Sequence, residues 1–154
     1  MNNGKISVFT THRDKVLGYY GTASWLRQLV LAMWNGTDHQ VGMSTLATLD
    51  NDHAAAALAM IQSYRQLGER DPAFMSLALE CQQRLEAEHA EARRVARFES
   101  WCKEVQFDLK VAGMRSHFVD DHYTWFERQF NAGMEPGAAA RLALQSNLDE
   151  ARSG

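Results

Sequence analysis

The sequence predicts an all-α protein, with helical bundles organised on one long central helix (about residues 72–112) and a helix–turn–helix hairpin at the C-terminus. Three observations carry that prediction. Asp71-Pro72 is followed by no glycine or proline until Gly113. Apolar residues recur at three- and four-residue spacing over most of the chain. Glycine or proline stands where those periodic runs should stop or start. With 154 residues, 45% of them hydrophobic, the chain can bury a core without disulfides or a structural metal.

Taken in order, Lys5 to Thr11 contains β-branched residues and could form a short N-terminal strand or an ordered arm. From Thr22 the pattern is helical, with Trp25, Leu26, Leu29, Val30 and Met33 on one side. Asn35-Gly36 ends this helix, since Gly36 can adopt the left-handed conformation of a helix C-terminus. Met43, Leu46 and Leu49 fit a short helical turn or connector. Asp50 is an N-cap for the Ala-rich run Asn51–Leu67, because its carboxylate can accept the free amide protons of the first turn. Leu58, Ile61 and Tyr64, with Ala54 and Ala57, form the expected buried stripe, and Gly68 is the stop.

The run from Pro72 to Ala112 would be about 60 Å long as a single helix. Read as a seven-residue repeat, Phe74, Cys81, Glu88, Val95, Cys102 and Leu109 share one seam position. Leu77, Arg84, Glu91, Phe98, Val105 and Ala112 share the other. Both ends of the seam are apolar and its middle is charged, as in a helix segment that bridges solvent. The expected organisation is therefore an N-terminal lobe (1–81), an exposed middle (82–94) and a C-terminal lobe (95–154), arranged as a dumbbell. A helical hairpin with a turn near residues 86–92 is the competing reading. Glu80 with Arg84 and Glu99 with Lys103 are i,i+4 pairs that would support a solvated helix.

The last third restarts at Ser116 with an aromatic stripe of Val119, Tyr123, Phe126 and Phe130, flanked by Phe118 and Trp125, and Gly133 closes that helix. Glu135-Pro136 opens the final one, with Ala139, Leu142, Ala143 and Leu148 facing inward.

Several function classes are excluded by composition. No run of eighteen apolar residues could span a membrane, no signal segment opens the chain, and no tract is of low complexity. A net charge of −3 and a pI near 6.0 lack the basic footprint of a duplex-binding protein. Cys81 and Cys102, roughly 30 Å apart on one helix, are beyond the ~7 Å reach of a disulfide. Two free thiols suit a reducing cytoplasm.

Four groupings could carry chemistry. Glu86 and His89 form one Glu-x-x-His unit, but a di-iron bundle needs two such units and two further Glu, so a solvated charged face is the plainer reading. His117 with Asp121 could hold a metal only with a ligand from Asp50, Asp52 or His53; otherwise Asp120 and Asp121 simply favour a helix N-terminus. Cys81 and Cys102 sit on the apolar seam, not in the electropositive setting of a reactive thiolate. The hairpin Ser116–Arg152 offers Arg141, Gln145 and Asn147 to a DNA groove but offsets them with Asp120, Asp121, Glu127, Asp149 and Glu150.

Trp34-Asn35, followed by Leu46-Ala-Thr-Leu49-Asp50 and a helical run, resembles an uncharacterised helical domain family of bacterial plasmids and integrative elements, over about Gly21–Leu67. Phe126, Gly133-Met134, Pro136 and Ala139-Ala140 are similar to the tails of small accessory proteins from such elements. The resemblance implies a mobile element whose small proteins regulate transfer or disarm host defence, a setting in which an anti-CRISPR protein would fit; it carries over no catalytic or ligand residue.

The expected function is a non-enzymatic interaction module that binds and regulates or inhibits a host or phage protein complex in the cytoplasm, with no cofactor and no metal. Its candidate docking residues are Arg84, Glu88, Glu91, Arg93, Arg94 and Arg97, where an acidic stretch meets a basic one and complementary charge could select a partner. The alternatives are a DNA-associated regulator using the C-terminal hairpin and a metal-dependent enzyme. The seam could also pair with a second copy to form a homodimer.

Overall fold

Forty residues, Pro72–Val111, form one unbroken helix, which rules out the hairpin reading; with no internal glycine or proline, nothing interrupts its hydrogen-bond ladder. The computed structural model describes residues 6–146 and 148, and within them the protein is all-α with no strand. The helices are α1 (Val8–Thr11), α2 (Arg13–Val16), α3 (Gly21–Trp34), α4 (Asn51–Leu67), α5 (Pro72–Val111), α6 (Phe118–Asp121), α7 (Tyr123–Asn131) and α8 (Pro136–Gln145). Short 3-10 turns occupy Met43–Thr48 and Gly68–Arg70. The chain divides into two compact units, Met1–Glu88 and His89–Gly154, and α5 contributes to both.

In the first unit the core is built from Phe9, Val16, Leu26, Val30, Met60, Phe74 and Leu77. Phe74 is its centre, with ring centroids 5.0 Å from Phe9 and 4.9 Å from Tyr64. The strand expected near Lys5 to Thr11 is replaced by α1, Lys5 itself lying outside the described residues. The Ser7 hydroxyl accepts from the Phe9 amide at 3.2 Å, which opens a helical turn and drives Phe9 into the core at 1% exposure. A lone strand would leave its backbone groups without a ladder partner, whereas a helical turn satisfies them locally.

Asp50 caps α4 as expected, accepting from the His53 amide at 3.0 Å. Gly68 ends that helix at φ +54°, where a side chain would be strained. Gly36 differs from expectation: it is not in the left-handed region. Asn35 terminates α3 instead, its side-chain oxygen accepting from the Thr37 and Asp38 amides at 3.2 and 3.3 Å, so a local side-chain turn supplies the stop. The buried side of α4 also differs. Ala56, Ala57 and Met60 are buried and Leu58 is 55% exposed. The small alanines let Met60 and Tyr64 reach the core around Phe74, which turns Leu58 outward. The Glu80–Arg84 pair is not formed, because Arg13 holds both carboxylate oxygens of Glu80 and Arg84 turns to Glu88 at 3.1 Å. No ion pair joins Glu99 to Lys103 among the described residues.

The second unit packs Phe98, Trp101, Val105 and Leu109 of α5 against Phe118, Val119 and Phe126 and against Ala139, Ala140 and Ala143 of α8. The alanines permit close approach of α8, and the aromatic rings interlock edge to face, Trp101 lying 6.3 Å from Phe126 and 5.8 Å from Phe130. The Trp101 indole N–H donates to the Met134 carbonyl at 2.8 Å, just beyond Gly133, which closes α7 at φ +78°. Trp101 was off the seven-residue seam. Of the seam residues here Phe98, Val105 and Leu109 are buried, Phe98 contacting Tyr123 and Phe130, while Val95 is exposed and Trp101 is buried beside the half-buried Cys102. The helix expected from Ser116 to Gly133 is broken at His122 (φ −120°, ψ 28°), whose ring Nδ1 lies 2.9 Å from the Phe118 carbonyl and competes with the helical ladder. No helix among the described residues is long and apolar enough to cross a membrane.

Candidate functional site

An α-helix advances about 100° per residue, which places Arg93, Ser100, Phe107 and Val111 on the side of α5 away from Phe98, Val105 and Leu109, with Arg97 and Glu104 on the flank next to Trp101. All six are exposed. Phe107 and Val111 are 67% and 75% exposed, unusual for large apolar side chains one turn apart. Beside them the first turn of α8 and α5 enclose a groove of about 650 Å³, lined by Lys103, Phe107, Pro136 and Arg141 among others. Further along the same helix Arg93 and Arg97 line a smaller depression of about 440 Å³ with Ala90 and Ala96. This surface is basic at the Arg93–Arg97 end, and at the other end Phe107 stands among charges of both signs, Lys103, Glu104, Asp108, Glu135 and Arg141.

The six candidate docking residues do not behave alike. Arg93 and Arg97 are exposed and make no ion pair among the described residues. Arg94 is committed internally: it grips both carboxylate oxygens of Glu91 at 2.9 Å and lies 3.7 Å from Glu127 of α7. Its hydrogen bond holds the Glu91 carboxyl below the usual carboxylate range. Arg84 and Glu88 belong to the first unit. Arg84 is not free for a partner: it donates to the Leu17 carbonyl at 2.7 Å, pairs with Glu88 and lies over the Tyr19 ring at 4.1 Å. Its seam position implied exposure, and the turn between α2 and α3 covers it.

Of the other groupings, Glu86 and His89 are exposed, and His117 and Asp120 are 3.6 Å apart on the surface. Asp121 pairs with Arg115 at 3.3 Å. Burial pushes the Cys81 thiol up to about 12 and the Cys102 thiol to about 11, opposite to the shift that activates a nucleophile. On α8, Arg141 and Gln145 are exposed, while Asn147, Asp149 and Glu150 lie outside the described residues.

A family of unknown function (DUF7673) matches residues 15–88. That stretch includes all of Gly21–Leu67, on which the resemblance to an uncharacterised helical family rests, and it lies wholly within the first unit. No curated protein and no solved structure matches the chain.

Sequence reasoning passed over Phe107, Val111 and Arg27. Phe107 was legible in principle, since it lies diametrically across the helix from Val105 and Leu109. Arg27 stands among apolar residues of α3 and gave no signal, because its role depends on a turn and a second helix.

Proposed function

We propose that the protein is a non-enzymatic interaction module of a bacterial mobile element that binds and regulates or inhibits a host macromolecular complex in the cytoplasm, as an anti-CRISPR protein does. One observation carries this reading: the unpaired Arg93 and Arg97 and the exposed Phe107 and Val111 share one face of α5. Exposed apolar anchors on the same helix face as two arginines that make no ion pair among the described residues are the composition of a docking surface, and the face fits a partner that is acidic opposite Arg93 and Arg97 and offers an apolar pocket to Phe107. The raised thiols of Cys81 and Cys102 count against nucleophilic catalysis.

The test is co-purification from a bacterial host lysate, comparing the unaltered chain with R93E/R97E and with F107K. Arg94 is left intact because Glu91 and Glu127 already hold it. The expected result is a partner retained by the unaltered chain and lost by both variants. Retention of every co-purifying protein by R93E/R97E and by F107K overturns the assignment of this face.

A further inference from the structure

Arg27 is the most deeply buried charged side chain among the described basic residues, at 9% exposure. Buried charges are ordinarily paired with an opposite charge, yet no carboxylate pairs with Arg27 among the described residues. Its hydrogen bonds all leave from one nitrogen: Nη1 donates to the carbonyls of Val16 at 3.0 Å and Gly18 at 2.7 Å. The opposite edge of the guanidinium, Nε with Nη2, makes no hydrogen bond to any described residue. That edge is the fork whose two parallel N–H groups match a carboxylate or phosphate. Elsewhere this protein uses it in that way: Arg13 holds Glu80 through Nε and Nη2, and Arg94 holds Glu91 through the same pair.

The surroundings of Arg27 are open to a small guest. Ser24 and Arg27 of α3 line a small, partly open recess of about 80 Å³ with His39, Gln40 and Glu88 and the apolar Leu31 and Leu85. The same two residues line a wider depression of about 350 Å³ with Tyr19 and Arg84. Two arginines and one glutamate meet there. Arg84 is paired with Glu88 at 3.1 Å, and Glu88 attracts Arg27 only through space, so no carboxylate among the described residues is in ion-pair contact with Arg27. Burial, and then repulsion from Arg84, hold the Arg27 guanidinium below its ordinary range, against a weaker opposing attraction from Glu88, a cost that an anion in direct contact would relieve.

We propose that the cleft between α3 and α5 is a binding site for a small oxyanion group, a carboxylate or a phosphate, received by the Nε–Nη2 edge of Arg27 with Ser24 beside it. The site lies within the stretch matched by the family of unknown function, and it is independent of the docking face on the second unit.

The experiment titrates the full chain with inorganic phosphate and, separately, with acetate, following heat by calorimetry and backbone amide shifts by NMR. Saturable binding with a Kd of about 1 mM or tighter is expected for at least one anion, and the tighter of the two assigns the group. R27K keeps the charge and loses the fork, so binding should weaken at least tenfold. Because a change at a buried arginine can disturb folding, S24D provides the second arm. It places a carboxylate in the cleft, should leave the far-UV spectrum unchanged and should abolish anion binding. K110E, on the exposed end of α5, should leave binding unaltered. No saturable binding by either anion below about 10 mM, or saturable binding that persists in S24D, overturns the proposal.

Discussion

The Ser7 hydroxyl donates to a carboxylate oxygen of Asp71 at 2.6 Å, joining residues 64 positions apart. Asp71 is 6% exposed, and its second oxygen accepts from the Ala73 amide at 2.9 Å in the first turn of α5. Ser7 meanwhile caps α1. One carboxylate thus begins the longest helix and fastens the N-terminal segment over Phe74.

Removing either partner should therefore destabilise the first unit unequally. Ser7→Ala loses the bond to Asp71 and the cap of the single-turn α1 and should cost about 1 kcal/mol, whereas Asp71→Ala loses the same bond and the cap of the forty-residue α5 and should cost about 2 kcal/mol. Thermal or urea unfolding of the two variants checks the order; equal effects would mean that the α5 cap contributes no more than the α1 cap.

The orientation of α4 predicts a contrast between two neighbouring residues. Leu58→Gln should change stability by no more than about 0.5 kcal/mol, while Met60→Ala, at a fully buried position, should cost about 2–5 kcal/mol. Denaturant midpoints decide this. Reversal of the two effects would restore the stripe expected from periodicity.

Cys81 and Cys102 should react slowly with iodoacetamide at pH 8 in the folded chain. A thiol raised from 9.0 to about 11 holds roughly a hundredfold less thiolate than an ordinary one below pH 9, and Cys81, raised to about 12, should react last. Mass spectrometry of partly alkylated protein gives the order of modification.

The same thiols set an alkaline limit to stability. Their folded values lie above the unfolded 9.0, so the protonated forms favour the folded state. That contribution is complete below about pH 9 and is lost as the pH rises through about 11 and about 12. Unfolding midpoints should fall over this window, and fall less in C81A/C102A.

Trp101→Phe should cost about 1 kcal/mol through loss of the hydrogen bond to the Met134 carbonyl. By contrast, Phe107→Lys, on the exposed side of the same helix, should leave stability within about 0.5 kcal/mol while removing partner binding. Loss of stability in Phe107→Lys would mean that this side chain serves the core.

Local rules made the helix boundaries readable. Asp50 and Asp71 accept first-turn amides wherever the chain goes next, Pro72 and Pro136 suit a first helical position, and Gly68 and Gly133 tolerate a conformation that other residues resist. Each of these choices involves groups within about four positions of each other, which is why all-α architecture and an unbroken α5 follow from order of residues alone. Which side of a helix is buried does not follow in the same way. Leu58 and Met60 are both apolar and both fit a stripe; the packing around Phe74 selects Met60. Arg84 and Arg93 look equivalent on a charged helix, yet the α2–α3 turn covers one and no described residue covers the other. Arg27 differs from its apolar neighbours through its context, since the carbonyls of Val16 and Gly18 take its Nη1 and leave the Nε–Nη2 edge without a hydrogen bond to any described residue. Contacts between residues far apart in sequence make these distinctions, because burial and charge compensation are properties of the assembled surroundings, not of the side chain itself.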